Sequence, residues 1–115
     1  MASTASIEER ARSIIEVNLA LKDDETLLVV TDEDTYDIGR MLYDVARSMD
    51  VRASMMLMPV GNVNGEEPPS AVSAAMKSAD VVVCPTAKSL THTSARIEAA
   101  AAGARVVTMP GITAS

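Results

Sequence analysis

Short apolar runs alternate along the chain with segments in which apolar residues recur every three or four positions. The runs at residues 26–31, 51–58, 81–84 and 105–109 predict four β-strands, and the periodic segments predict helices. The first and third runs are apolar at nearly every position, so we expect both faces of these strands to be covered. The second run alternates with polar residues at its start, which suits a strand at the edge of the sheet.

Caps and terminators support the helices that periodicity predicts. A capping box formed by Ser6 and Glu9 opens the first helix. A glycine, which is well suited to end a helix, follows the fourth. The predicted helices are residues 7–21, a second helix capped by Asp34, a third opened by Pro68 and Pro69, and residues 91–102, ended by Gly103.

Strands that alternate with helices indicate parallel βαβ units, and right-handed crossovers then favour the strand order 2-1-3-4. We therefore predict an α/β three-layer sandwich, in which a four-stranded parallel sheet carries two helices on each face. It forms a single Rossmann-like or flavodoxin-like domain over residues 1–115. This order makes a topological switch point between strands 1 and 3, where the direction in which strands are added to the sheet reverses. Ligands of open α/β sheets bind at such a switch point, outside the carboxyl ends of the strands.

Two loops leave this predicted switch point, and the one after strand 3 is rich in chemistry. It holds four hydroxyls, a lysine and the only histidine of the chain, and it leads into helix 4. Helix N-termini offer free N–H groups and partial positive charge, so these side chains suit a carboxylate or a phosphate. The predicted substrate-binding residues are Thr86, Lys88, Ser89, Thr91, His92, Thr93 and Arg96.

Simpler interpretations of this loop stay open. At least one of its hydroxyls is expected to cap helix 4, because Ser and Thr are ordinary N-cap residues. Arg96 equally fits a solvated helix residue, and His92 fits a structural or exposed one. Cys84, at the end of an apolar strand, is predicted to be a core residue.

Acidic residues lie in two other loops. Asp32, Glu33 and Asp34 follow strand 1 and fit charges that cap helix 2 and match its dipole. Their alternative is a metal or amine site that faces the lysine and histidine of the other loop. Glu66 and Glu67 fit favourable charges at the start of helix 3, in a loop that is long enough to reach a ligand or a partner.

Composition narrows the classes of partner. The 115 residues are 48% hydrophobic with a net charge of −6, which suits one globular domain that binds neither nucleic acid nor an anionic membrane surface. The single Cys excludes an internal disulfide and suits a reducing compartment. No signal peptide or membrane-spanning run is visible, so a cytoplasmic location is expected. One His and one Cys, without zinc-site spacing, predict no metal site in this chain.

Three stretches of the chain resemble the N-terminal domain of leucyl aminopeptidases of the thermophilic metallopeptidase family, the aminopeptidase T type. The middle stretch is the most specific. The resemblance covers nearly all of this chain but only the first part of a family member. The stretches are LMP at 57–59 with NGEEPP at 64–69; ADVV at 79–82 with Thr86, KSLTHT at 88–93 and AR at 95–96; and GARV at 103–106 with TMPGIT at 108–113.

The resemblance implies a metal-dependent exopeptidase whose metal ligands lie in a later domain. It implies that this chain is the N-terminal part of a longer, homo-oligomeric protein and contains no catalytic residue and no metal ligand. A divalent Zn, Co or Mn ion would be bound by the C-terminal domain. The expected role of this chain is to shape the cleft for a peptide substrate, and we expect the chain alone to be inactive.

Two alternatives stay open. A related branch with the same N-terminal pattern includes dihydroxypyridine dioxygenases, iron-dependent ring-opening enzymes, and this resemblance would place His92 near the substrate. From the residues alone, the chain also fits a non-enzymatic module that binds a small anion or assembles into oligomers.

Overall fold

The computed structural model describes residues 9, 12–18 and 24–109. The first helix has π-type hydrogen bonding, and much of the segment predicted at residues 7–21 lies outside the described residues. None of the described helices is long and apolar enough to cross a membrane. The strands are β1 (Thr26–Asp32), β2 (Arg52–Met58), β3 (Val81–Cys84) and β4 (Arg105–Thr108), and the helices are α1 (Ile14–Asn18), α2 (Tyr36–Ser48), α3 (Ser70–Ser78) and α4 (Ser94–Ala101).

The strands form one parallel sheet in the order β2-β1-β3-β4, which confirms the predicted topology. The central strand β3 is buried along its whole length, and β1 is buried at all but its first residue. This burial follows from having a strand on each side and helices on both faces. β2 lies at an edge, and most of its residues are half-buried or exposed. The predicted switch point between β1 and β3 is therefore present.

Alternate residues of the central strands face two separate apolar cores. On one face, Val29 packs with Leu42 of α2 and with α1. On the other face, Val30 packs with Met76 of α3 and with Ala99 of α4. The prediction of two helices on each face is confirmed. Each fully buried Val, Leu or Met side chain contributes about 1.5–3 kcal/mol, so the two cores are the main source of stability.

Helix α2 approaches β1 closely at Gly39. A Cβ built on this glycine would lie 2.6 Å from Cβ and 2.7 Å from Oγ1 of Thr31, whose side chain is fully buried. Glycine is required by this contact, although glycine inside a helix costs about 1 kcal/mol relative to alanine. The close approach brings the first turns of α2 against the carboxyl end of β1, beside the switch point.

Helix α4 begins later than the sequence pattern predicts. It starts at Ser94 rather than at Thr91, because Thr93 is extended, with ψ of 153°, and serves as the N-cap. The hydroxyl of Thr93 accepts a hydrogen bond from Arg96 N at 3.1 Å. The end of the helix is as predicted, since Gly103 follows it with φ of 106°, in the left-handed region that favours glycine.

Helix α2 also begins later than predicted. Its N-cap is Thr35, so the prediction that Asp34 caps this helix was wrong. The reason is a tight turn in which Oδ1 of Asp32 accepts hydrogen bonds from the backbone N of Asp34 and of Thr35, each at 3.0 Å. This turn keeps Asp34 outside the helix. Helix α3 begins at Ser70, directly after the two prolines that were predicted to open it, and Pro69 is its N-cap.

Candidate functional site

The buried carboxylate of Asp32 joins the two loops that meet at the switch point. Besides the two bonds to its own turn, it accepts a hydrogen bond at Oδ2 from Ala87 N, at 2.7 Å. Asp32 is only 1% exposed. A buried carboxylate is tolerated where several N–H groups donate to it. Asp32 thus holds the turn that precedes α2 rather than capping the helix itself, and it also ties the β1–α2 loop to the β3–α4 loop.

Thr35 completes the contact between these two loops. Its hydroxyl lies 2.9 Å from the hydroxyl of Thr31 and 3.0 Å from Oδ1 of Asp32, and it also hydrogen-bonds the Pro85 carbonyl. Among the described residues, every buried side-chain nitrogen or oxygen has a hydrogen-bond partner. These hydrogen bonds join the two loops at the carboxyl ends of β1 and β3, where the topology predicts a ligand.

The long loop at residues 59–69, here called the strap, reaches the β3–α4 loop. Oδ1 of Asn64 accepts a hydrogen bond from Ser89 N at 2.8 Å. Gly65 N donates to the Ser89 carbonyl at 2.9 Å. Gly65 has φ of 83°, a left-handed conformation that glycine adopts without strain. Both backbone groups of Ser89 are therefore paired with the strap.

Glu67 of the strap caps α4 rather than α3. Its Oε2 accepts from Ser94 N at 2.7 Å, and its Oε1 accepts from Ala95 N at 3.1 Å. These N–H groups have no partner within the helix. Glu66 does not serve α3 either, since its Oε1 accepts from Asn62 N at 3.2 Å. The prediction that the two glutamates serve the start of α3 was therefore wrong, and a second anion at the start of α4 would have to displace Glu67.

Two of the predicted substrate-binding hydroxyls are buried and form hydrogen bonds with backbone groups of the chain. Thr86 Oγ1 donates to the Lys88 carbonyl at 2.6 Å. Thr93 Oγ1 donates to the Leu90 carbonyl at 2.7 Å and accepts from Arg96 N. Neither threonine is more than 1% exposed. These hydroxyls shape the loop, and Thr93 is the cap that was expected among them.

Three further residues of the predicted set are half-buried and brace the loop. Ser89 Oγ donates to Thr91 Oγ1 at 2.9 Å, and Thr91 Oγ1 lies 2.7 Å from the hydroxyl of Thr108 in β4. Arg96 Nε donates to the Thr91 carbonyl at 2.7 Å. Arg96 is therefore more than a solvated helix residue, because it holds the loop from the side of α4.

Lys88 and His92 are the exposed members of the predicted set. Neither side chain hydrogen-bonds or pairs with any residue that the structure describes. The backbone on either side of them is held by the contacts to the strap, to β4 and to α4. The structure thus presents an ammonium and an imidazole on a braced loop.

A small cleft lies under the strap, at the carboxyl ends of β1 and β2 and beside the β3–α4 loop. The space in it that a water-sized molecule can reach is about 30 Å³. Asp32, Glu66, Glu67 and Lys88 are its charged lining residues. Of the residues predicted to bind substrate, Lys88 alone lines this cleft, and His92 lies on the exposed turn before α4.

The described part of the chain contains no cluster of metal ligands, and its thiol is buried. Within residues 9, 12–18 and 24–109, no group of three or more His, Cys, Asp or Glu side chains could hold a metal ion. Cys84 is buried in the core, as predicted, and burial raises the pKa of its thiol to about 12. A protonated, buried thiol is not a nucleophile. The group in the cleft that is left to donate to a polar ligand is the ammonium of Lys88.

The comparisons with known proteins bear on the fold alone. The chain matches no protein-family model and no curated protein. Among solved structures it is similar to 2,5-dihydroxypyridine dioxygenase from Pseudomonas putida KT2440, with a TM-score of 0.79 and 13% sequence identity. The match covers 96% of this chain and 35% of that chain, so this chain spans about a third of that enzyme's length. The likeness supports the α/β fold class with its parallel sheet.

Sequence reasoning identified the β3–α4 loop but missed the residues that hold it. Asn64 contacts a residue 25 positions later, Glu67 contacts residues 27 and 28 positions later, and Asp32 contacts one 55 positions later. Such contacts between a side chain and a distant backbone group leave no periodic pattern. The signal that was available is the length of the strap, together with its two amides and two carboxylates.

Proposed function

We propose that this chain is the N-terminal substrate-cleft and assembly domain of a metal-dependent aminopeptidase, and that it does not catalyse the reaction by itself. One observation carries the proposal: Lys88 stands at the cleft on a braced loop, exposed and without a side-chain partner among the described residues. The stretch that contains it is also the one that most specifically resembles the aminopeptidase T family.

Lys88 and His92 supply the chemistry that a substrate domain needs. The lysine ammonium carries three donors and a positive charge, which suit a peptide carbonyl or carboxylate. The imidazole of His92 can donate at one nitrogen and accept at the other. Direct contact with substrate in the cleft is therefore assigned to Lys88. His92, on the exposed turn before α4, would meet the part of a substrate that extends beyond the cleft. The residues that support them by fixing the loop are Thr86, Ser89, Thr91, Thr93 and Arg96.

The metal of such an enzyme, a Zn, Co or Mn ion, would be held by residues outside the described part of this chain. It would polarise the scissile carbonyl and activate a water molecule. The described residues contribute orientation, because a substrate held by Lys88 at the carboxyl end of the sheet has fewer positions open to it.

A second candidate is a domain of a dihydroxypyridine-dioxygenase-like enzyme, and the structural comparison favours it. The solved dioxygenase contains a similar fold within 35% of its chain. In both candidates this chain would have the same role, which is to orient a polar substrate while another domain holds the metal. The third alternative, a small-anion module, has less support, because Glu67 already occupies the start of α4.

The test is to express the polypeptide from its gene's own start codon to its own stop codon and to assay two reactions. Hydrolysis of leucine p-nitroanilide is measured after Co²⁺, Zn²⁺ or Mn²⁺ is added to metal-free protein. Oxygen uptake is measured with Fe²⁺ and 2,5-dihydroxypyridine. The proposal expects metal-dependent hydrolysis without oxygen uptake.

The other outcomes decide between the candidates. Oxygen uptake without hydrolysis would support the dioxygenase, and the absence of both activities would contradict both enzyme proposals. The 115-residue chain alone is the matched control. It is expected to be inactive with every metal, and turnover by this chain would show that the reaction centre lies within it.

A further inference from the structure

The strap and the β3–α4 loop are joined at two separate points. One is the backbone of Ser89, which pairs with Asn64 and with the glycine that follows it, at 2.8 and 2.9 Å. The other is the start of α4, where the two oxygens of Glu67 accept from two successive backbone N–H groups. Lys88 is the immediate neighbour of Ser89, so the first point fixes the backbone next to the lysine.

Glu67 supplies the charged contact between these two segments. Hydrogen bonds to an ionised acceptor are roughly twice as strong as neutral ones, and the partial positive charge of a helix N-terminus adds to them. Pro68, which is buried, and Pro69 follow Glu67 directly and lead into α3. Their fixed φ angles restrict the backbone beside Glu67. The carboxylate is thus held from the side of α3 and binds the start of α4.

The strap also forms one wall of the cleft. Gly61 lies so near the opposite loop that a Cβ built on it would be 3.7 Å from Cβ of Lys88. The same Cβ would be 3.5 Å from a carboxylate oxygen of Glu66. The distance between the strap and the loop of Lys88 therefore sets the width of the cleft on this side.

We infer that Glu67 is a positioning residue of the cleft: by docking the strap on α4, it holds the strap at a fixed distance from the loop that carries Lys88. That this fixed distance serves substrate binding rests on the proposed function, whereas the docking of the strap on α4 does not. Residues 64–67 are too short a segment for its two ends to move independently. Loss of the carboxylate should therefore loosen the contact at Ser89 as well as the contact at α4.

Amide hydrogen exchange, measured by NMR on the ¹⁵N-labelled chain, tests this coupling. Glu67→Ala is expected to accelerate exchange at Ser94 and Ala95, its direct partners, and also at Ser89, each by about tenfold. Glu98→Ala removes a carboxylate that is exposed on α4 and is the matched control. The control is expected to leave all three exchange rates unchanged.

Acetate provides a second readout that a general loss of stability would not give. The truncated side chain of Glu67→Ala leaves space for a small carboxylate at the start of α4. Sodium acetate is expected to slow exchange in this variant at Ser94, Ala95 and Ser89, relative to sodium chloride of equal ionic strength. The native chain should show no such difference between the two salts.

A conservative variant keeps the test informative if Glu67→Ala fails to fold. Glu67→Gln retains an oxygen acceptor without the charge, so it is expected to accelerate the same amides by a smaller factor. Acceleration confined to Ser94 and Ala95, with Ser89 unchanged, would overturn the inference and reduce Glu67 to a helix cap. Unchanged exchange at all three amides would overturn it as well.

Failure of this inference and failure of the proposed function are distinguishable, because the exchange rates do not depend on activity. If the full-length polypeptide is active, Glu67→Ala is also expected to raise KM by more than it lowers kcat, while Glu98→Ala changes neither. A fall in kcat with KM unchanged would contradict a role in positioning the cleft.

Discussion

The amino and carboxyl ends of the sheet are both joined by acidic side chains, but the two ends differ in burial. At the amino end, Asp80 Oδ2 accepts from Thr26 N at 2.9 Å and from Thr26 Oγ1 at 3.2 Å. Beside it, Arg105 binds Glu25 through contacts of 3.0 and 2.9 Å. These contacts are exposed. At the carboxyl end, Asp32 is fully buried, and backbone N–H groups are its main partners.

This difference determines which charges are left for a ligand. At the amino end, the guanidinium of Arg105 is already paired with Glu25, and the hydrogen bond between them raises the pKa of Arg105. At the carboxyl end, Asp32, Glu66 and Glu67 accept hydrogen bonds from backbone N–H groups. The Lys88 ammonium is therefore not drawn into a pair with a described residue. Because the acidic side chains at the carboxyl end of the sheet bind backbone groups, the Lys88 ammonium remains available to a ligand at the cleft.

The largest loss of stability is expected for Asp32→Ala, at the buried carboxyl end of the sheet. This substitution leaves the N–H groups of two loops without their buried acceptor, so we expect the free energy of unfolding to fall by about 3 kcal/mol. Urea denaturation measures this loss as a lower midpoint with an unchanged slope. Glu33→Ala, at the exposed neighbouring position, is the control. A loss no greater than that of the control would mean that the hydrogen bonds by which Asp32 joins the two loops contribute little to stability.

Gly39→Ala tests the packing beside the same end of the sheet. Alanine normally stabilises a helix relative to glycine by about 1 kcal/mol. Here the added methyl group would meet the buried Thr31 side chain, so we expect destabilisation of about 2 kcal/mol instead. Thermal unfolding shows directly whether the substitution stabilises or destabilises the chain. A higher melting temperature would show that α2 shifts away from β1 without cost.

Asp80→Ala gives the smallest expected effect. The contacts of this carboxylate at the amino end are exposed to solvent, so we expect a loss of about 1 kcal/mol or less. The same urea titration measures it, and 1 M NaCl should not enlarge the difference from the native chain. A loss as large as that of Asp32→Ala would remove the distinction between the two ends.

The sheet could be predicted from the sequence because its signals are local. β3 was located to the residue, since Asp80 and Pro85 border an unbroken apolar run. The strand order follows from the handedness of the crossovers. By contrast, the start of α4 was placed three residues too early, because hydroxyls at positions 91, 93 and 94 all suit an N-cap. Thr93 is the N-cap in the structure, because the buried side chain of Leu90 fixes the turn before the helix.

The candidate site could be predicted only in part. Its loop and its exposed lysine follow from topology and composition. That Asp32 joins the two loops at the switch point, and that the start of α4 is occupied by Glu67, depends on contacts between distant segments. The strap, which the topology does not place, covers the cleft at the carboxyl ends of the strands.

Lys88 and Lys77 allow the most direct test of the substrate cleft, because they are exposed lysines toward opposite ends of the sheet. The measurement is KM for whichever substrate the full-length polypeptide turns over. We expect Lys88→Ala to raise KM about tenfold or more, since a charge-assisted hydrogen bond is lost, and Lys77→Ala to leave KM unchanged. An unchanged KM for Lys88→Ala, or an equal increase for both variants, would contradict a substrate cleft at the carboxyl end of the sheet.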